Sequence, residues 1–211
     1  MLSLLLLAAA APTAIDAERA FAADAQKIGQ WTAFRKYADQ DAVMFVPQAI
    51  WAHEFLKDRK DPPKSVAWHP TQGWVSCDGR TAVNVGPAFR DGKPYGNFNT
   101  VWQRDKAGWR WVYDNGSPLD PKAVTQKKPI VRKASCRTKA PGAPVIPPPP
   151  LSTRQARTTP EDNGRGESAD KTLGWDWKVE KDGARKFRVY QWTGKSYAQV
   201  LYNDVPAPPA R

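Results

Sequence analysis

The stretch of sequence that decides the fold is NFNTVWQRDKAGWRWVYD, residues 97–114. It predicts two strands joined by a turn at residues 105–108. Along the second strand, aromatic side chains alternate with others in the order Trp109, Arg110, Trp111, Val112, Tyr113 and Asp114. Successive side chains of a strand point to opposite faces of the sheet. The alternation therefore predicts one aromatic face and one mixed face, with Asp114 on the mixed face.

Two more strands are predicted ahead of this pair. Residues 74–77 and 81–89 are rich in apolar side chains. Between them, Asp78-Gly79 is typical of a tight hairpin turn, because both residues tolerate positive φ. Together the four strands predict an antiparallel meander.

Helices are predicted before the meander. Thr13 and Asp16 match the capping box that starts a helix, and apolar residues then recur at helical spacing until Gly29. The patterning next predicts a helix at 32–37, a strand at 41–46 and a helix at 49–57. Helices followed by antiparallel strands indicate an α+β domain, which we expect over residues 12–120.

Of the net charge of +11, all but +2 lies in one part of the chain. Residues 121–160 carry nine basic side chains, nine prolines and no acidic side chain. Such a segment cannot bury enough apolar surface to offset the entropy of ordering it, so we expect a basic, proline-rich linker over 121–170. Because the excess charge lies outside the folded segments, the sequence argues against a nucleic-acid-binding fold.

Residues 171–206 return to strand patterning. Three strands are predicted there, at 174–180, 185–193 and 196–204. A three-stranded sheet of this size is marginal on its own. We therefore expect a small three-stranded β appendage that docks on the first domain or on a partner.

Residues 1–11, MLSLLLLAAAA, match the apolar region and small-residue end of a secretory signal peptide. We therefore expect a periplasmic or secreted protein whose mature chain has no transmembrane segment. An oxidising compartment would permit a disulfide between Cys77 and Cys136, and the alternative is two unpaired thiols. The chain has no CxxC or HExxH motif, so we expect neither a metal site nor another cofactor.

Taken in order, these elements resemble the NTF2-like superfamily, specifically its SnoaL-like and DUF4440 group, over residues 13–118. The resemblance rests on AERAFAADA at 17–25, KYADQDAV at 36–43, GNFNTVWQR at 96–104 and GWRWV at 108–112. It implies a curved antiparallel sheet wrapped over the N-terminal helices to form a cone with a cavity at its open end. It also implies that a homodimer can form through the outer face of the sheet.

The resemblance extends to ketosteroid isomerases, which implies two catalytic positions. One is an aspartate just before the proline that closes the first strand, and the other is a tyrosine on the first helix. Here Val46 precedes Pro47, and the tyrosine position falls on Ala22. Valine cannot move a proton and alanine cannot stabilise an oxyanion, so isomerase chemistry is disfavoured and enzymatic activity stays open.

Asp114 is the remaining candidate for an acid or base. If its face looks into the cone, burial would raise its pKa and suit it to that role. The alternative is a turn residue at the end of a strand, as is common for aspartate before Asn-Gly.

Aromatic side chains in the helices and the meander are candidates for lining a pocket, and the alternative for each is the apolar core. With Asp114, the candidates are Tyr37, Trp51, Phe55, Phe98, Trp102 and Trp111. The sequence thus favours a binding or accessory module that holds a small apolar molecule or a protein. One alternative is a SnoaL-like enzyme with a different acid or base, and another is a tether to an anionic surface through residues 121–160.

Overall fold

The computed structural model describes residues 11–145 and 162–209. Its helices are α1 (Ala14–Ile28), α2 (Gln30–Tyr37), α3 (Ala52–Leu56) and α4 (Pro121–Thr125). Its strands are β1 (Ala38–Phe45), β2 (Ala49–Trp51), β3 (Ala67–Trp68), β4 (Gln72–Val75), β5 (Thr81–Arg90), β6 (Lys93–Asp105), β7 (Gly108–Ser117), β8 (Ile130–Lys133), β9 (Asn163–Glu167), β10 (Leu173–Val179), β11 (Arg185–Trp192) and β12 (Tyr197–Val205). The predicted signal peptide lies outside the described residues except for Ala11. No helix within the described ranges is long and apolar enough to cross a membrane.

The first helix begins and ends where the sequence predicts. The Thr13 hydroxyl accepts a hydrogen bond from the Asp16 backbone N–H at 3.2 Å, and the Asp16 carboxylate accepts one from the Thr13 N–H at 2.9 Å. At the other end, Gly29 adopts a φ of 101°. A side chain there would collide with the Asp61 carboxylate. That carboxylate accepts the backbone N–H of Trp31 at 2.6 Å, so the start of α2 is capped from a distant loop.

The first sheet contains the predicted meander. Its strand order is β2-β1-β7-β6-β5-β4-β8, with β3 paired to β5. Strands β4 to β7 are antiparallel neighbours, whereas β1 and β8 run parallel to β7 and β4. Helices α1, α2 and α3 pack on one face, in a core with Trp102 and Trp111. The α+β cone expected from the sequence is therefore confirmed, with helices on a curved, mainly antiparallel sheet.

The helix expected at 49–57 is wrong over its first residues. Ala49–Trp51 form β2, which pairs with β1, and α3 begins only at Ala52. The backbone groups of these residues meet the free edge of β1, and strand pairing satisfies them there. The helical spacing of Trp51 and Phe55 does not reflect a shared helix.

The C-terminal sheet has four strands in the order β12-β11-β10-β9, not the three expected. The extra strand, β9, was missed because Asn163–Glu167 contains two glycines and no apolar side chain. The glycines are needed at this position, since side chains on Gly164 and Gly166 would collide with the rings of Trp177 and Trp175.

This second sheet covers the outer face of the first. The first sheet contributes Trp74, Val83, Val85, Val101 and Tyr113 to the shared core, and the second contributes Leu173, Trp175, Phe187 and Val189. The expected docking on the first domain is thus observed. The outer face, through which the resemblance implies a homodimer, is occupied within a single chain.

The expectation of an extended linker is wrong for residues 121–145. Asp120 caps α4 by accepting the Lys122 N–H at 3.0 Å, and β8 adds a parallel strand to β4. Ala134 is buried beyond β8, and the predicted disulfide between Cys77 and Cys136 is present with a Cα–Cα distance of 5.3 Å. Composition alone misled here because a sheet edge and a covalent bond supply contacts that the segment lacks itself. The proline run Pro147–Pro150 lies outside the described residues.

Candidate functional site

A β-bulge in β7 decides where Asp114 points. Tyr113 pairs with Val101, and Trp111 pairs with Trp102. Val112 lies between these two pairs and has no counterpart on β6, which makes it the extra residue of the bulge. Trp111 consequently packs with the helices, whereas Tyr113 packs with the second sheet. The predicted single aromatic face is therefore wrong. Asp114 follows the bulge and lies on the same side of the sheet as Trp111.

Asp114 borders a cavity of about 380 Å³ between α2 and strands β3, β5, β6 and β7. Its apolar walls come from Phe34, Val66, Trp68, Ala88 and Phe98. Its polar wall includes Gln30, Asn97, Asn115, Ser117 and Asp114. The size and the mixture of broad apolar walls with few polar groups are typical of small-molecule sites.

The environment of Asp114 leaves both protonation states of its carboxyl populated near neutral pH. The Thr100 hydroxyl donates a hydrogen bond of 3.0 Å to Asp114 Oδ2. Burial raises the pKa of Asp114 to about 7, against the lowering effect of that hydrogen bond. At neutral pH this side chain can therefore either accept or donate a hydrogen bond.

The second sheet completes one side of the cavity. Arg185 at the start of β11, Val205 at the end of β12 and the following Pro206 border the same space. Arg185 Nε donates to Asn115 Oδ1 at 3.1 Å, which joins β11 to the strand that carries Asp114. Sequence patterning could not bring these residues together, because their proximity depends on how the two sheets pack.

No protein-family model matches the chain, and no curated protein matches it. Solved structures do match about half of it. One is the CamKII hub homology domain of Chlamydomonas reinhardtii, at 17% identity over 49% of this chain and 94% of that one, with a TM-score of 0.36. A putative aromatic ring hydroxylase from Novosphingobium aromaticivorans matches at 18% identity over 50% and 86%, with a TM-score of 0.37.

A third match is a putative Ca/calmodulin-dependent kinase II association domain from Exiguobacterium sibiricum. It is 18% identical over 49% of this chain and 92% of that one, with a TM-score of 0.33. These similarities are too low to transfer any site. The fold assignment rests on the architecture of the chain itself, with helices packed on a curved, mainly antiparallel sheet.

Of the seven candidate pocket residues, two line the cavity and five do not. Phe98 and Asp114 line the cavity. Trp102 and Trp111 are fully buried in the helix-side core, and Tyr37 and Phe55 pack against that core. The remaining candidate, Trp51, packs against Val43, Ala49 and Val179.

The two positions implied by the isomerase resemblance lie away from the cavity. Val46 is 43% exposed, and Ala22 packs against the helix-side core. Neither residue is among the described residues that line the cavity. Within the described ranges, no cluster of three or more His, Cys, Asp or Glu side chains is arranged to hold a metal ion.

Sequence reasoning missed Glu18, a completely buried carboxyl on α1. It accepts hydrogen bonds from Trp68 Nε1 at 2.8 Å and from Trp102 Nε1 at 2.6 Å. Burial raises its pKa to about 8, although both indole donors act in the opposite direction. The signal was present in the sequence, since Glu18 lies three residues from both Ile15 and Phe21 and so shares their apolar stripe.

Glu18 supports the cavity from behind. Its partner Trp68 forms part of the cavity wall, and the negative charge of Asp114 further raises the Glu18 pKa. The indole of Trp68 is thereby held by a hydrogen bond at its buried edge. We interpret Glu18 as a positioning residue of the wall, because it is not itself among the described lining residues.

Proposed function

We propose that this protein is a binding module that holds a small, largely apolar molecule in the cavity beside Asp114. The observation that carries the proposal is the cavity of about 380 Å³, with aromatic and aliphatic walls and a carboxyl at one side. Apolar walls favour binding of an apolar molecule but do not fix its orientation in the cavity. The few polar groups fix that orientation. The resemblance of residues 13–118 to the SnoaL-like and DUF4440 group, which implies a cavity at the open end of the cone, supports this assignment.

Asp114 gives the proposed site a group that can form a hydrogen bond with the polar end of the ligand. With a pKa of about 7, a protonated Asp114 can donate to a carbonyl oxygen, and Thr100 keeps the carboxyl in place. The same property supports a second candidate function, general acid or base catalysis of the SnoaL-like kind. A pKa close to the working pH is what such a catalyst needs.

The first prediction concerns the pH dependence of binding. An apolar ligand removes water from around Asp114, which disfavours the charged carboxylate. Affinity for an uncharged ligand should therefore fall several-fold between about pH 6 and about pH 8 in the unmodified protein. In Asp114→Asn the affinity should be nearly constant over this range, as measured by calorimetry with the best molecule from an apolar ligand panel.

The control for this experiment is Asp105→Asn, which removes an exposed carboxylate at the end of β6. This variant should keep the pH dependence of the unmodified protein. Failure of every panel molecule to raise the melting temperature would reject the binding function. Turnover of a bound molecule that disappears in Asp114→Asn, with binding retained, would favour the enzyme.

We also propose that the protein works in an oxidising compartment, such as the periplasm or the extracellular space. The bond between Cys77 and Cys136 supports this, because disulfides persist in such compartments and are rare in reducing ones. Labelling of free thiols in protein isolated from its source organism tests it. The proposal requires that neither cysteine reacts before reduction.

A further inference from the structure

Arg185 brings a positive charge to the edge of the cavity. It lies on β11 of the second sheet, is half-buried, and lies with its guanidinium 5.5 Å from the centre of the Phe45 ring. Within the part of the chain that the structure describes, its hydrogen bonds go to neutral acceptors: Asn115 Oδ1 at 3.1 Å, the Pro47 carbonyl at 3.3 Å and the Gly116 carbonyl at 3.4 Å. Burial lowers the pKa of Arg185, which reflects the cost of holding its charge here.

Among the described residues, no carboxylate forms an ion pair with Arg185. The contrast with Arg188 on the same strand is direct, since Arg188 Nε lies 2.7 Å from Asp176 Oδ1. Asp114 is the one acidic side chain among the described lining residues. Because its pKa is raised, its carboxyl is protonated and uncharged in a large fraction of the molecules at neutral pH. A partly desolvated guanidinium beside an apolar cavity therefore lacks a matching negative charge.

The hydrogen bonds of Arg185 leave room for one particular kind of partner. A guanidinium has five N–H groups. The three bonds to Asn115, Pro47 and Gly116 use one N–H on each nitrogen, so one N–H on each terminal nitrogen has no partner among the described residues. Two N–H groups on one planar cation match the two oxygens of a carboxylate. A phosphate monoester carries a second charge, for which the described cavity lining offers no second cation.

We propose that the ligand of this cavity is an amphipathic carboxylic acid whose carboxylate binds Arg185. The apolar body of the acid lies against the aromatic wall formed by Phe34, Trp68 and Phe98, and its charged end lies at the second sheet. This inference rests on the proposed binding function and adds the chemical class of the ligand. It also gives the C-terminal sheet a direct part in recognition, since Arg185 lies outside the span that resembles the NTF2-like superfamily.

The test uses the full chain at about pH 6, where Asp114 is mostly protonated, and two probes of nearly equal shape. Naphthoate carries the carboxylate, and naphthamide replaces it with a neutral amide. Calorimetry should show naphthoate binding at least about 10-fold more tightly than naphthamide, because a charge-assisted bidentate contact is stronger than a neutral one. In Arg185→Gln, naphthoate affinity should fall about 10-fold or more, and naphthamide affinity should stay within about two-fold.

Two further variants keep this test decisive. Lys186→Gln removes the same charge from an exposed neighbour on β11 and should change neither affinity. Arg185→Lys keeps the charge without the planar fork and should retain an intermediate preference for naphthoate, which tests the proposal even if Arg185→Gln does not fold. Equal binding of the two probes to the unmodified protein would overturn the proposal and leave the binding function standing. Failure of both probes and of the apolar panel would overturn both.

Discussion

Replacing Phe187 by alanine should lower the free energy of unfolding by about 3–5 kcal/mol, the usual cost of removing a large aromatic side chain from a core. Phe187 is fully buried between the two sheets, and its ring stacks on Tyr113 with centroids 4.3 Å apart. Phe187 belongs to the core that the two sheets share. Urea unfolding followed by tryptophan fluorescence measures the change.

The matched control is Tyr202→Ala, which truncates an aromatic side chain on β12 that is 48% exposed. Its cost should stay below about 1 kcal/mol, as for most surface substitutions. Because the two sheets share one core, both variants should still unfold in a single transition. A loss below about 1 kcal/mol for Phe187→Ala would mean that the second sheet does not stabilise the first.

Glu18 should make the protein less stable as the pH rises from about 5 to about 8. Its pKa is 4.5 as an ordinary glutamate and about 8 in the folded protein, so the folded state binds a proton that the unfolded state has released. The stabilising contribution of Glu18 is therefore fully present below its ordinary pKa of 4.5, and it is lost as the pH rises towards its folded-state pKa of about 8. The loss amounts to roughly 3–5 kcal/mol over this interval.

Among the carboxyls with a shifted pKa, only Asp114 also contributes in this window. Asp114 acts in the same direction up to about pH 7, because its pKa is also raised. Asp16, Asp24, Asp61 and Asp170 have lowered pKa values, so they contribute stability above their ordinary value of 3.8 and lose it only in acid. Between about pH 5 and pH 8, the change in the free energy of unfolding with pH therefore comes mainly from Glu18, with a smaller part from Asp114.

The variant that tests this effect is Glu18→Gln, which keeps the side-chain shape and removes the titrating proton. It should unfold in urea with a much flatter dependence on pH, with the remaining slope due to Asp114. Glu54→Gln replaces an exposed glutamate and should retain the slope of the unmodified protein. An unchanged slope in Glu18→Gln would show that Glu18 is charged throughout this range in the folded state.

The elements that sequence reasoning found are those encoded locally. The capping box at Thr13 and the Asp78-Gly79 turn act through neighbouring residues, so their positions could be predicted. The orientation of Asp114 could not be predicted, because the extra residue Val112 is visible only when β7 is aligned against β6. Arg185 reaches the cavity through packing between sheets, which leaves no trace in local sequence.

Residues 121–145 show the limit of reasoning from composition. Their charge and proline content correctly indicate that they cannot build a core of their own. Composition does not reveal that β4 offers them an unpaired edge or that Cys136 finds Cys77. A segment poor in apolar residues can thus be ordered by contacts that belong to its neighbours.

Because of the bulge at Val112, a single strand contributes to both the helix-side core and the cavity. Before it, the side chains on the helix side of β7 are large and apolar, and they belong to the part of the domain that must be rigid and dry. After it, the same side of the strand presents Asp114 to the cavity. One inserted residue thus shifts the alternation of the strand, so that the same side of β7 faces the dry core before the bulge and the cavity after it.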